Sequence, residues 1–211
     1  SVQMVPAYLI AIPARLLGLS AGTAFIVLNF VLAIICSLLV FWLLRSVTSD
    51  PLISAIGVLV VLLLGTAAAY QGELRQWALG SVLVDFLPFL RRYQPGVAFP
   101  MFLACCLTVW RSLADEERSR RLLFAVLSGL LFVALVFSYF FMWTTAAAWL
   151  ACLVPLWFFA RKSERRSVLT MTGIIATFGL AVAWPYVRLL SDRHTNTDET
   201  QLLAYTREPD L

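Results

Sequence analysis

Long apolar runs, broken by short polar clusters, set the pattern of this chain. Residues 21–44 carry no charge, and Asn29 is their one strongly polar position. Residues 52–70 and 168–186 are apolar over comparable lengths, and the shorter run 96–110 can borrow apolar neighbours at either end. Residues 122–160 are free of charge over a length that fits two crossings, with the predicted turn near "SYFFMWTT" at 138–145. A helix needs about 20 apolar residues to cross the hydrocarbon of a bilayer. Lipid offers no partners to backbone N–H and C=O groups, so a spanning segment must be a helix or part of a closed barrel. These runs do not alternate as barrel strands do. The predicted fold is therefore all-α: a polytopic transmembrane helix bundle of about six membrane segments. It forms one domain over 1–211, with polar loops at 71–95 and 188–211. Residues 4–19 are apolar but hold Arg15, Pro6 and Pro13. They read either as a kinked span or as a helix lying in the interface.

The polar clusters orient the bundle. "RSLADEERSRR" at 111–121 holds four arginines, and "RKSERR" at 161–166 holds three more with the single lysine of the chain. Lys and Arg concentrate in cytoplasmic loops, so both clusters belong inside, and residues 45–50 fall on the same side. Residues 71–95 and the stretch after Arg188 then lie on the outer face.

Composition agrees with this pattern: 61% of residues are hydrophobic and 13% charged, with a mean hydropathy of +0.87. Soluble domains run at roughly 45–50% apolar and about 25% charged. The net charge of +4 follows from the basic loops and does not point to nucleic acid as a partner. The partner expected from composition is membrane lipid, and the expected location is the membrane itself, as a multi-pass protein. The four cysteines fall in predicted spans without a CxxC pair, and read as small buried hydrophobes. The chain starts at Ser1 with no signal-peptide pattern and stops in a polar stretch, so it reads as an internal piece of a longer protein.

The predicted spans contain no Asp, Glu, Lys, Arg or His. Proton-coupled transporters and voltage sensors place such groups at membrane depth, which weakens a carrier reading. Polar chemistry collects at the outer face instead. Residues 71–96, "QGELRQWALGSVLVDFLPFLRRYQPG", carry Glu73, Arg75, Asp85, Arg91 and Arg92 beside apolar residues at helix-like spacing. One reading is an amphipathic connector with snorkelling arginines. The sharper one is a clamp in which Arg91 and Arg92 hold phosphate, because the guanidinium fork pairs with phosphate oxygens two at a time. Arg188 is the next phosphate-facing candidate. Asp85, Tyr93, Gln94, Tyr139 and Trp143 are the candidate lining of a substrate site. Tyr139 and Trp143 also fit an interfacial aromatic belt. His194 stands alone, so zinc fails on ligand count. No metal ligand is assigned, no cofactor is certain, and a divalent metal stands only as a candidate. No nucleophile elbow, P-loop or HExxH motif occurs.

Three stretches carry a resemblance. They are "VPAYLIAIPARLLGLSAGTAFIVLNF" at 5–30, "RRYQPGVAFP" at 91–100, and "GLLFVALVFSYFFMWT" at 129–144. In that order they resemble part of a GT-C type integral-membrane glycosyltransferase, of the kind found in bacterial inner membranes. The resemblance implies a polyprenyl-phosphate-linked sugar donor and transfer on the non-cytoplasmic face. It places the catalytic carboxylate in an outer loop before Ser1, so the base is unknown within 1–211. Arg91, Arg92 and Arg188 would then face the donor phosphate. The competing readings are a transporter or flippase of an amphipathic substrate, and a non-catalytic membrane scaffold subunit. Sugar, acceptor and oligomeric state stay open.

Overall fold

The structure is a computed structural model and describes residues 4–61 and 93–191. These fold as seven α-helices and no strand: α1 Met4–Leu16, α2 Ala21–Thr48, α3 Pro51–Leu59, α4 Tyr93–Ala114, α5 Arg118–Val136, α6 Phe140–Ala160 and α7 Arg165–Ser191, with a 3-10 turn, Lys162–Glu164, before α7. Five helices are long and apolar enough to cross a membrane: α2, α4 from Gly96, α5, α6, and the stretch Lys162–Leu189. The chain is an integral multi-pass membrane protein with an all-α bundle fold. The second predicted span, 52–70, begins as α3, and its part from 62 onward lies outside the described residues.

Local chemistry sets the helix ends. Ser20 caps α2, its Oγ accepting the Thr23 N–H at 3.2 Å. The helix stops where Ser49 turns left-handed at φ 59°. Asp50 then caps α3, its Oδ1 accepting the N–H groups of Leu52 at 2.7 Å and Ile53 at 3.2 Å, with Pro51 in the first turn. A carboxylate at that position satisfies donors that the helix leaves unpaired and complements its positive end. The hairpin between α2 and α3 thus needs only two residues. Close approach follows, because Gly57 of α3 meets the Leu44 side chain of α2 where a Cβ would sit.

The α5–α6 turn falls at the start of the stretch where the sequence predicts it. It occupies 137–139, and α6 is helical from Phe140. The Thr144 and Thr145 hydroxyls return to helix carbonyls at Phe140 and Phe141, so polar residues expected in a turn stay within the helix. Likewise α4 runs on past Trp110 to Ala114.

α1 is 13 residues long, or about 20 Å at 1.5 Å per residue, against roughly 30 Å of hydrocarbon. The Val5 N–H donates to the Phe137 carbonyl at the α5–α6 turn, 3.3 Å away. At the other end Gly18, at φ 62°, reverses the chain into the α2 cap. In this left-handed stop the Leu19 N–H reaches the Ala14 carbonyl at 2.9 Å. The opposite end of α2 lies beside the arginine loop, where the Trp110 indole donates to the Ser46 carbonyl at 3.1 Å. Its length alone sets α1 apart from the five helices that are long enough to cross a membrane.

The core sits among α4, α5, α6 and α7 and is built largely from small or slender residues: Ala98, Cys105, Val109, Ala125, Ala146 and Val168 with Leu113, Leu135, Met171 and Ile175. Of the three alanines 146–148, only Ala146 is buried. At Gly129 the ring of Phe178 from α7 occupies the space a Cβ would take. Small residues let helices approach closely, and in lipid such packing replaces the hydrophobic drive between helices. Cys36, Cys105 and Cys106 are buried as expected, whereas Cys152 faces outward from α6. Outward faces are strongly apolar: Leu180 is 76% exposed, Trp184 74% and Phe30 71%. Surfaces of that kind cover the bundle on several sides, and lipid is the solvent that suits them.

Candidate functional site

Three helices and one turn converge at the end of the bundle opposite the arginine loops. α5 ends at Val136, and Phe137, Ser138 and Tyr139 reverse the chain into α6. Ser138 is fully buried: its hydroxyl donates to the Ala134 carbonyl at 2.6 Å and lies 3.7 Å from the Met101 sulfur of α4. That contact ties the turn to the first half of α4 and fixes where the next residues emerge. Tyr139 takes an extended conformation, φ −153° and ψ 124°, at the start of α6.

An aromatic cluster grows from this turn. The Trp143 ring packs edge-on against Phe140, with centroids 5.7 Å apart, and against Tyr186 of α7 at 5.9 Å. Tyr186 reaches Phe137 at 6.3 Å, and Tyr139 leans on Phe141 at 5.6 Å. Edge-to-face contacts at such distances are worth about 0.5–1.5 kcal/mol each beyond the area they bury. Tyr139 and Trp143 stand one turn apart, the Trp143 N–H bonding the Tyr139 carbonyl at 3.3 Å. The Trp143 indole Nε1–H is buried and has no hydrogen-bond acceptor among the described residues. A buried donor left unpaired costs on the order of 1–3 kcal/mol, so this N–H is a place where an oxygen-bearing ligand gains.

The structure brings some of the sequence candidates together and separates others. Tyr139 and Trp143 share the cluster. Tyr93 and Gln94 open α4 at the same end of the bundle. Arg188 lies in the last turn of α7 and is exposed. It follows Tyr186 by two residues, and positions two apart on a helix do not face each other. Arg188 therefore sits at the level of the cluster but on the other side of α7. Arg91, Arg92, Asp85, Glu73 and Arg75 lie outside the described residues, as does His194. Tyr186 was not singled out in the sequence, where it closes an apolar run. Its place next to Pro185 at a predicted membrane boundary is the signal that marks it.

Among the described residues no group of three or more His, Cys, Asp or Glu side chains is placed to hold a metal ion. The middles of the described spans carry no Asp, Glu, Lys, Arg or His, the charged positions falling at helix ends and in turns. Among the described residues, charged side chains gather at the two ends of the bundle. No family model, curated protein or solved structure matches the chain.

Proposed function

We propose that the chain is part of a membrane glycosyltransferase that moves a sugar from a polyprenyl-phosphate-linked donor to an acceptor on the non-cytoplasmic face. The carrying observation is the aromatic end, where Trp143 presents an unpartnered buried N–H between Phe140 and Tyr186. Aromatic faces with one convergent donor suit a sugar ring or a polar headgroup at the membrane boundary. By the positive-inside argument this end is non-cytoplasmic. The resemblance in residues 5–30, 91–100 and 129–144 adds the reaction class. The charge-free span middles favour a catalyst at the surface over a carrier that moves protons through the bilayer.

In this reading Tyr139 and Trp143 line the sugar site, with Tyr93 and Gln94 at the same end. Arg91 and Arg92 meet the donor phosphate, where positive groups stabilise the charge that develops on the leaving group. A carboxylate base removes the acceptor proton, and none is assigned within 1–211.

The test is sugar transfer from a polyprenyl-phosphate donor by the membrane-embedded protein, native and with Arg91 and Arg92 replaced by Ala. The double variant is expected to fold and to lose most transfer. Full transfer by the folded double variant removes the arginines from the site. Movement of the donor across proteoliposomes with no covalent product replaces the enzyme by a flippase.

A further inference from the structure

The basic end of the bundle holds a cavity of about 220 Å³ between the starts of α5 and α7. It is lined by Arg118 and Arg121 of α5 and by Arg166 and Ser167 of α7, together with the buried apolar side chains of Ala125 and Met171. Among the described residues no carboxylate lines it.

The nearby acids are committed elsewhere or face elsewhere. Glu117 pairs with Arg120 at 2.8 Å, and Glu164 takes Arg161 at 3.2 Å and the Trp157 indole at 2.6 Å. Asp115 accepts the Glu117 N–H at 3.0 Å, and Glu116 lines the neighbouring cleft with Arg45 and Arg111. Three guanidinium groups thus share one cavity with no neutralising partner in its wall.

Their donors are partly fixed and partly free. Arg121 is held in place: Nη1 donates to the Ser167 Oγ at 2.5 Å and Nη2 to the Glu116 carbonyl at 3.2 Å. Its Nε–H has no acceptor among the described residues, so of the five N–H donors of an arginine two have partners there. The side chains of Arg118 and Arg166 make no hydrogen bond or ion pair among the described residues. Ser167 accepts from Arg121 and keeps its own O–H to donate. The Ser112 and Thr170 hydroxyls, by contrast, are spent on the Arg121 and Arg166 carbonyls.

Unneutralised arginines, one of them preoriented, beside buried apolar side chains at the membrane boundary fit one kind of ligand. We propose that this cavity binds a phosphate or phosphodiester group, carried by an anionic lipid headgroup or as free phosphate. Arginine pairs with phosphate oxygens two at a time, and basic pockets between helices on the cytoplasmic side suit anionic headgroups. The site is at the opposite end from the proposed sugar-transfer site and does not depend on it.

The purified full chain in neutral detergent micelles tests this with two probes, dioleoyl phosphatidylglycerol against phosphatidylcholine, and inorganic phosphate. Binding is read by native mass spectrometry and by thermal shift. Arg118→Gln/Arg166→Gln removes two cavity charges whose side chains make no internal bonds. Arg120→Gln/Arg161→Gln removes the same charge from the same end outside the cavity. Each lost charge-assisted hydrogen bond to phosphate is worth about tenfold or more in affinity. The expected result is preference for phosphatidylglycerol, weakened at least about tenfold by the first pair and less than about twofold by the second. A response to inorganic phosphate alone, with the same dependence on the variants, supports the site and names its ligand as soluble. Equal losses in both double variants, or binding that neither probe shows, overturns it.

Discussion

The contact at Gly129 allows the bundle's packing to be tested by one carbon atom. A Cβ built there lies 2.3 Å from Cδ2 and 2.9 Å from Cγ of Phe178. Ordinary carbon contacts are about 3.5–4.0 Å, so the ring must move by more than about 1 Å. It is attached close to its own backbone at those atoms, and swinging it away opens the α5–α7 contact. Overpacking of this kind costs about 1–3 kcal/mol. Alanine recovers about 0.5–1 kcal/mol of helix preference over glycine. Gly173 supplies the control, because a Cβ there meets nothing within 4 Å. Gly173→Ala keeps the helix gain without the clash. The two variants are therefore expected to differ by about 2 kcal/mol, equivalent to a melting difference of roughly 4–8 °C for a chain of this size. Gly57 offers a graded case: its near contact at 2.4 Å is Cδ1 at the tip of Leu44, with the next atom at 3.7 Å, and a rotamer change absorbs most of it. The assay is thermal unfolding in detergent, followed by intrinsic tryptophan fluorescence. Phe178→Leu in the Gly129→Ala background should restore part of the loss, giving a coupling energy above about 0.5 kcal/mol. A Gly129→Ala protein that melts with or above Gly173→Ala, with no coupling to position 178, would refute the close α5–α7 packing.

Three further outcomes follow from particular contacts. Trp143→Phe removes an indole N–H that has no partner among the described residues. It is expected to leave thermal stability unchanged or higher by up to about 1 kcal/mol, while raising the KM for a polyprenyl-phosphate-sugar donor. A clear loss of stability would show that the N–H is already satisfied. Asp50→Ala removes two cap bonds to α3 and should cost about 1 kcal/mol in the same melt, with Asp50→Asn recovering most of it. Single cysteines at Met4 and Ser20 should label with an impermeant maleimide from one side of sealed vesicles, and one at Ser163 from the other. Met4 and Ser20 labelling from opposite sides would make α1 a span.

The architecture was readable in the sequence wherever hydrophobic length decided the outcome. Charge-free runs such as 21–44 and 122–160 became helices because lipid leaves the backbone no other solution. The turn expected near 138–145 falls at its start, 137–139, because in an apolar setting the hydroxyls of Thr144 and Thr145 bond back to their own helix. α1 stayed ambiguous for a related reason: composition reports that a segment is apolar, whereas lying or crossing depends on where both its ends are tied. Of the candidate site, Tyr139 and Trp143 were found by residue type. Their partner Tyr186 is 43 positions beyond Trp143, and only the packing of α6 on α7 brings it near. Arg188 shows the converse: sequence placed it at the right level, but two residues of helix rotation turn it away from the cluster.

The arginine loops show how one signal can hide another. Read as a count, the basic residues of 111–121 and 161–166 orient the chain, and any arrangement of the same charges would do so equally. The structure separates them by partner. Arg120 and Arg161 are in exposed ion pairs with Glu117 and Glu164, which at such exposure add little stability. Arg165 lays its guanidinium over the Phe158 ring at 4.7 Å and donates to the Phe158 carbonyl at 3.1 Å, joining the α6–α7 connection. Arg118, Arg121 and Arg166 remain, 45 positions separating Arg121 from Arg166, and they meet only because α5 packs along α7. Orientation requires only that these charges be on one side of the membrane. It does not require that three of them share a cavity without a carboxylate, with one guanidinium already held in place. That arrangement is what the proposed phosphate site rests on, because an anion would meet guanidinium donors that are still free. The same residues can therefore set topology through their number and hold a ligand through their placement.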